Sequence, residues 1–264
     1  MRHAVEKKIM LCTILILTAV LIGNQGLAYR PTAEQVLAKT VTLNRHLDSL
    51  QISLTTKVFY DYFDDLYLEV PEEIFATTHA FRTARRYPDG VDMIVGNGRK
   101  SYTIGNIMEN ADDRTIEIVL PLLLVHHSIG PFLDNLNYLG VDTNIVTFDR
   151  IGTAVAIVIG NRTETIPGSQ LWIDKERGLP LRFVGVGTHG EARHIYRTEY
   201  TDYTRINKRF WVPATIEYYR DDVLEAVSSM DKISVNKVIP SHIFSIDPMP
   251  DSAVPLTNFL NIKE

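Results

Sequence analysis

The stretch Leu171-Trp172-Ile173-Asp174-Lys175-Glu176-Arg177-Gly178-Leu179-Pro180-Leu181-Arg182-Phe183 decides how the rest of the chain is read. Its first part alternates, with Leu171 and Ile173 on one face and Trp172 on the other, as a half-buried strand does. Turn-forming residues, Lys175 to Pro180, break the run. It resumes with Leu181, Phe183 and Gly185 at every second position. Two short alternating runs around a Gly/Pro turn predict an antiparallel hairpin. Strict alternation puts Leu171, Ile173, Leu181 and Phe183 on its apolar faces.

The same beat continues in both directions. Downstream, His194 to Tyr203, Phe210 to Arg220 and Lys232 to Val238 read as strands, and upstream so do Asn144 to Phe148 and Ala154 to Ile159. In the first half, Ile52, Leu54, Thr56, Val58 and Tyr60 alternate with polar neighbours. Tyr67 to Val70 then runs up to Pro71, and residues 75–85 are again extended. Val91 to Val95 and Lys100 to Ile104 flank Gly96-Asn97-Gly98, a strong hairpin signal. About ten or eleven short strands separated by turns predict a meandering antiparallel sheet.

Two segments depart from this period. Val36, Thr40, Leu43, Leu47 and Leu50 recur at helical spacing after Pro31-Thr32, which predicts an amphipathic helix of about five turns. Residues 116–140 are nearly unbroken apolar, from Ile118 to Val125 and again at Phe132, Leu133, Leu136 and Leu139. Pro121 and Pro131 suit first helical turns and Gly140 a helix end, so two short helices with a break near Gly130 are expected. Such an insert is too apolar for an ordinary surface loop: something must cover it, or it must cover something.

The N-terminus reads as an address. Arg2, Lys7 and Lys8 precede an uncharged run from Ile9 to Ile22, and Gly26-Leu27-Ala28 supplies small residues for cleavage after Ala28. The run is short for a membrane span, which needs about 20 residues. The only cysteine, Cys12, lies inside it. The expected organisation is a signal peptide over 1–28, one domain over 29–247 and a proline-containing tail over 248–264. The product is expected outside the cytoplasm, in the periplasm. Across all 264 residues, 45% are apolar and 22% charged with a formal charge of −5. This balance excludes a disordered chain, and it lacks the basic excess of a nucleic-acid binder.

In element order, signal peptide, amphipathic helix, strand meander, apolar helical insert and second meander, the chain resembles the LolA/LolB-like superfamily of periplasmic lipoprotein carriers and related lipid-binding proteins. Leu171 to Phe183 is similar to that family's hairpin, in which an apolar strand ends in Asp-Lys and resumes at Pro-Leu-Arg. Phe210-Trp211-Val212-Pro213-Ala214-Thr215-Ile216 resembles a strand opening with a Pro after an aromatic pair, and Val235 to Pro240 with Phe244 resembles the closing strand. The carriers have an Arg beside a Pro in an early strand, where this chain reads Glu69-Val70-Pro71.

The resemblance implies a curved, incomplete antiparallel β-barrel covered by the N-terminal helix and a helical lid. It also implies a monomeric, non-catalytic carrier without cofactor, serving an acyl chain or lipidated protein and meeting a membrane-anchored donor or acceptor. The expected cavity and lid residues are Leu43, Leu47, Leu66, Leu68, Ile94, Tyr102, Ile104, Leu123, Leu124, Phe132, Leu136, Leu171, Ile173, Leu181, Phe183 and Trp211. An envelope sensor of the same fold is the alternative, and an unrecognised hydrolase the third reading.

Other constellations point to no chemistry. His126 and His127 are adjacent, so on a helix their rings diverge by about 100° and cannot share an ion. Ser128 and Ser169 lack the Gly-x-Ser-x-Gly setting of a nucleophile elbow. The pairs Asp64-Asp65, Glu72-Glu73, Asp112-Asp113 and Asp221-Asp222 read as solvated turn charge. By alternation Arg82 and Arg86 share a sheet face and Arg85 takes the other. They are read as a soluble sheet face or as contacts to lipid head groups.

Overall fold

The computed structural model describes residues 30–60, 63–97, 100–105, 119–162, 167–189, 192–245 and 254–255. The expected signal peptide and most of the expected tail lie outside these residues. Helix α1 (Ala33–Leu43) opens the fold behind a capping box. There Gln35 N–H donates to Thr32 Oγ1 at 3.3 Å and Thr32 N–H to Gln35 Oε1 at 3.0 Å.

Five strands follow, each paired antiparallel with the one before it: β1 (Ser49–Tyr60), β2 (Phe63–Thr77), β3 (Ala80–Tyr87), β4 (Gly90–Asn97) and β5 (Lys100–Ile104). The apolar insert forms α2 (Val119–Leu124) and α3 (Ile129–Tyr138). The second meander is β6 (Val146–Ile151), β7 (Ala154–Arg162), β8 (Pro167–Asp174), β9 (Pro180–His189) and β10 (Ala192–Thr201). A small ribbon, β11 (Thr204–Ile206) and β12 (Phe210–Val212), precedes β13 (Thr215–Arg220) and β14 (Val223–Val235). β14 returns to pair with β1, joining the two meanders into one sheet of thirteen strands, with β6 at one edge and β15 (Val254–Pro255) against β5 at the other. The sheet is not closed into a barrel.

The sheet is steeply curved. The Arg85 guanidinium on β3 lies 5.1 Å from the Tyr218 ring centroid on β13. Four strand spacings separate these strands, roughly 19 Å measured along the sheet. Register shifts opposite Ser53/Leu54, Tyr218/Tyr219, Gly160/Arg162 and Trp172/Ile173 supply local bends. The helices pack on the concave side, and one core cluster joins Val36, Leu37 and Val41 of α1 to Leu123 of α2, Phe132 and Leu136 of α3, and inward residues of both meanders.

Several boundaries differ from the sequence expectation. The first helix is 11 residues long, not five turns. Asn44 ends it because its amide is taken by another backbone: Nδ2 donates to Trp211 O at 3.2 Å and Trp211 N–H donates to Oδ1 at 3.1 Å. Leu47 and Leu50 still enter the core, but from the following turn and from β1. The break in the insert falls at 125–128, ahead of Gly130, so Pro131 sits in the first turn of α3, where its missing N–H breaks no helical bond. β2 runs through Pro71, which stands opposite Thr55 one residue beyond the last partner β2 shares with β3. A proline there costs the ladder little. The run 210–220 is broken at Pro213-Ala214, and β14 begins at Val223, nine residues before the expected strand. Asp221 and Asp222 form the turn before it, with φ of 48° and 66°, the left-handed pair of a tight hairpin.

Candidate functional site

The concave face is read directly from the strand register. Leu50, Ile52 and Leu54 of β1 stand opposite Ala76, Ile74 and Glu72 of β2. On β3 and β4 this face continues as Phe81, Thr83 and Arg85 opposite Gly96, Ile94 and Asp92. In the other direction it runs through Ile216 and Tyr200 to Phe183, Leu171, Ile159 and Val146. A side chain at Gly96 would meet the Phe81 ring at 2.2 Å, so glycine there lets that ring lie over the strand.

Of the sixteen expected cavity residues, nine meet in one cluster: Leu47, Ile94, Leu123, Leu124, Phe132, Leu136, Leu171, Ile173 and Phe183. Leu68 is half-buried opposite Val58, at the rim of that face, and Leu43 is half-buried at the last turn of α1. Leu66, far out along the β1–β2 hairpin, is 53% exposed. Tyr102 and Ile104 pair with Val95 and Met93, so register places them on the face opposite Ile94. Leu181 also faces outward. Trp172 pairs with Arg182 but Ile173 pairs with Pro180, so Leu181 is the extra residue of a bulge. It packs on the convex side with Ala156, Val158 and Trp172. Trp211 is half-buried on the β11–β12 ribbon, beneath the Arg205 guanidinium at 5.8 Å.

The covers are held differently. α1 is tied by polar contacts to the turn of the deciding hairpin. Thr40 Oγ1 donates to Gly178 O at 2.9 Å, and Lys39 Nζ donates to the carbonyls of Lys175 and Glu176. That turn is organised by Asp174, whose Oδ1 accepts from Glu176 and Arg177 N–H at 2.8 and 2.7 Å, with Arg177 Nε on Oδ2 at 2.8 Å. Burial works against the Asp174 carboxylate, but these donors hold it below the usual range. The insert meets the core through apolar side chains, Val119, Leu120, Leu123, Leu124 and Val125, then Phe132, Leu136 and Leu139. Between its helices His127 Nε2 bonds Leu47 O at 3.3 Å and Asp48 Oδ1 at 3.1 Å. The neighbouring His126 is buried against the Phe132 ring. Burial, and secondarily His127, push its pKa down to about 4.

Glu72 is not solvated turn charge: it lies mid-strand, 1% exposed, with Arg85 Nε at 3.0 Å from its Oε2. Thr56 Oγ1 and Ser228 Oγ donate to the same oxygen at 2.6 and 3.2 Å. Asp92, also buried, stands opposite Arg85 in the ladder. Alternation had separated Arg85 from Arg82 and Arg86 correctly, and counting two residues from Ile74 would have placed Glu72 beside the core. Arg86 pairs outside with Glu73 at 2.7 Å. The concavity is thus apolar under the helices and polar across its Glu72 end.

Among the described residues no group of His, Cys, Asp and Glu is placed to hold a metal, and no helix is long and apolar enough to cross a membrane. His194 bonds Asp221 at 2.6 Å on the hairpin turn.

No family model matches the sequence, and no curated protein does. Solved structures match the architecture. A LolA superfamily protein from Nitrosomonas europaea superposes with a TM-score of 0.52 at 12% identity, covering 83% of this chain and 100% of that one. A putative outer membrane lipoprotein-sorting protein domain from Vibrio parahaemolyticus gives 0.53 at 6% identity, covering 82% and 97%. The fold is the LolA-like one: a half-open antiparallel barrel with helices on its concave side.

Proposed function

We propose that the protein is a non-catalytic carrier that binds an acyl chain, free or on a lipidated protein, between the concave sheet and the insert 119–138, and acts in the periplasm on a path toward the outer membrane. The observation that carries this reading is the apolar hollow of an unclosed sheet, sealed by two helices that touch it through side chains such as Leu123, Leu124, Phe132 and Leu136. Lipoprotein sorting, the role named for the Vibrio structure of the same fold, is the role this hollow suits.

Transfer energetics favour such a ligand. Each methylene removed from water contributes about 0.8 kcal/mol, so ten contribute about 8 kcal/mol before the costs of association. That gain has to offset displacement of the insert, whose own apolar contacts occupy the hollow. Donor and acceptor would then bias the same open and closed states that the chain exchanges between. The test is extraction of the purified protein from a membrane-containing host with organic solvent, followed by mass spectrometry. A stoichiometric lipid is expected. A protein that is empty, and stays empty when offered acyl ligands, would overturn the proposal.

A further inference from the structure

The polar end of the hollow carries more hydrogen-bonding atoms than the chain satisfies. Glu72 Oε1 and Thr83 Oγ1 are buried and have no hydrogen-bond partner among the described residues, and Thr198 Oγ1 and Tyr200 OH are buried with no partner beyond their contact with each other. All four belong to concave-face residues, and they gather around one crossing, where Arg85 spans the hollow to the Tyr218 ring. Glu72 stands opposite Arg85, and Thr83 is two residues from it on β3. Thr198 stands opposite Tyr218, and Tyr200 is two residues further along β10. Their residues are exposed by 1%, 0%, 1% and 1% respectively. An unmet buried polar group is costly, so a gathering of under-satisfied ones around one crossing needs a reason.

Resting on the carrier reading, we infer that this cluster is the head-group end of the ligand site, and that it selects an apolar chain bearing a hydrogen-bond-donating, non-anionic group such as an amide or hydroxyl. The charge pattern sets the class. Glu72 and Asp92 bring two carboxylates to one guanidinium, Arg85, leaving a local excess of negative charge. An entering carboxylate or phosphate meets that excess, whereas an N–H or O–H donor finds Glu72 Oε1. The three hydroxyls then accept from or donate to the remainder of the head group.

Calorimetric titration with three ligands of one chain length separates chain from head: dodecanamide, methyl dodecanoate and dodecanoate. The amide is expected to bind at least about tenfold tighter than the ester, and the anion weakest. In Glu72→Gln the side-chain oxygen stays on Arg85 and its NH2 takes the Oε1 position. The site then offers a donor, and the amide-to-ester ratio is expected to fall to near one. Thr83→Val, which deletes a single buried hydroxyl, is expected to lower amide affinity severalfold without lowering the thermal midpoint. It decides the matter if Glu72→Gln does not fold. Equal binding of amide and ester by the natural protein overturns this inference and leaves the carrier reading standing. So does a ratio unchanged in a folded Glu72→Gln or, where that variant does not fold, an amide affinity unchanged in Thr83→Val. Failure of all three ligands to bind overturns both.

Discussion

The imidazole of His126 lies flat against the Phe132 ring, with centroids 4.5 Å apart and planes 11° from parallel. This stack joins the link between α2 and α3 to the underside of α3. His126 Nε2 has no partner among the described residues, and burial holds the ring neutral with a pKa of about 4. The unfolded chain takes up this proton from about pH 6.5 downward and the folded chain only near pH 4. Stability therefore falls as pH falls through that interval and levels off for this group below it. The whole interval is worth about 3 kcal/mol. Urea unfolding at pH 7, 5.5 and 4 measures it, and His126→Phe, which keeps the stack, is expected to remove most of the slope. An equal slope in the variant would assign the effect elsewhere. Asp174 and Asp221, held below the ordinary 3.8, weaken the fold only at lower pH still.

Arg85 and Glu72 form an ion pair whose side chains are 8% and 0% exposed. Removing one member of such a pair leaves a buried charge without its counter-ion, at a cost of about 3–5 kcal/mol. Arg85→Met is expected to lose that much in chemical denaturation. Arg85→Lys keeps the charge but loses the planar group that meets both the carboxylate and the Tyr218 ring, and is expected to lose less, about 1–2 kcal/mol. Equal losses in the two variants would mean that packing, not charge, is what Arg85 contributes.

The sequence carries the meander and both covers, because alternation, helical spacing and turn residues are local. β4 and β5 pair as expected, although β4 runs on through Gly96 and Asn97, and the hairpin at Asp174 to Pro180 pairs as expected too. What depends on distant partners is not legible in this way. Asn44 stops α1 through the backbone of Trp211, 167 positions away. Leu181 changes face because a bulge adds one residue, which reverses the parity of everything counted across it. Tyr102 and Ile104 fail for a related reason: alternation puts them on one face of β5, but which side of the sheet that face takes is set only by the pairing with β4. Adjacent acidic residues are usually solvated, so Glu72 reads as turn charge, and its burial follows from Arg85 on a neighbouring strand.

Gly178 closes the turn of the deciding hairpin with φ of +74°, and a Cβ there would meet Lys39 Cγ at 2.8 Å. Both facts penalise a side chain, the first through backbone strain of about 1–2 kcal/mol. Gly178→Ala is expected to lower stability by at least that amount. Adding Lys39→Ala relieves the contact but not the φ, so most of the loss should persist in the double variant. Full recovery on adding Lys39→Ala would show that crowding alone makes glycine necessary here.

The two covers differ in what holds them, which predicts which one opens. α1 is fastened by Thr40 and Lys39 to carbonyls of the Asp174 turn and by Asn44 to Trp211. The insert has one polar tie, half-exposed His127 on Leu47 O and Asp48, and otherwise relies on apolar contacts, which are non-directional and can be exchanged for those of an acyl chain at little net cost. Local opening is therefore expected to be easier for α2 and α3 than for α1, by about 1.4 kcal/mol or more. Amide hydrogen exchange reads this as protection at least about tenfold lower over 119–138 than over 33–43. Saturating dodecanamide is expected to raise protection over 119–138 and leave α1 unchanged, since the ligand replaces the contacts the insert gives up. Were α1 the less protected of the two, or both to open together, the gate would have to be sought in the N-terminal helix.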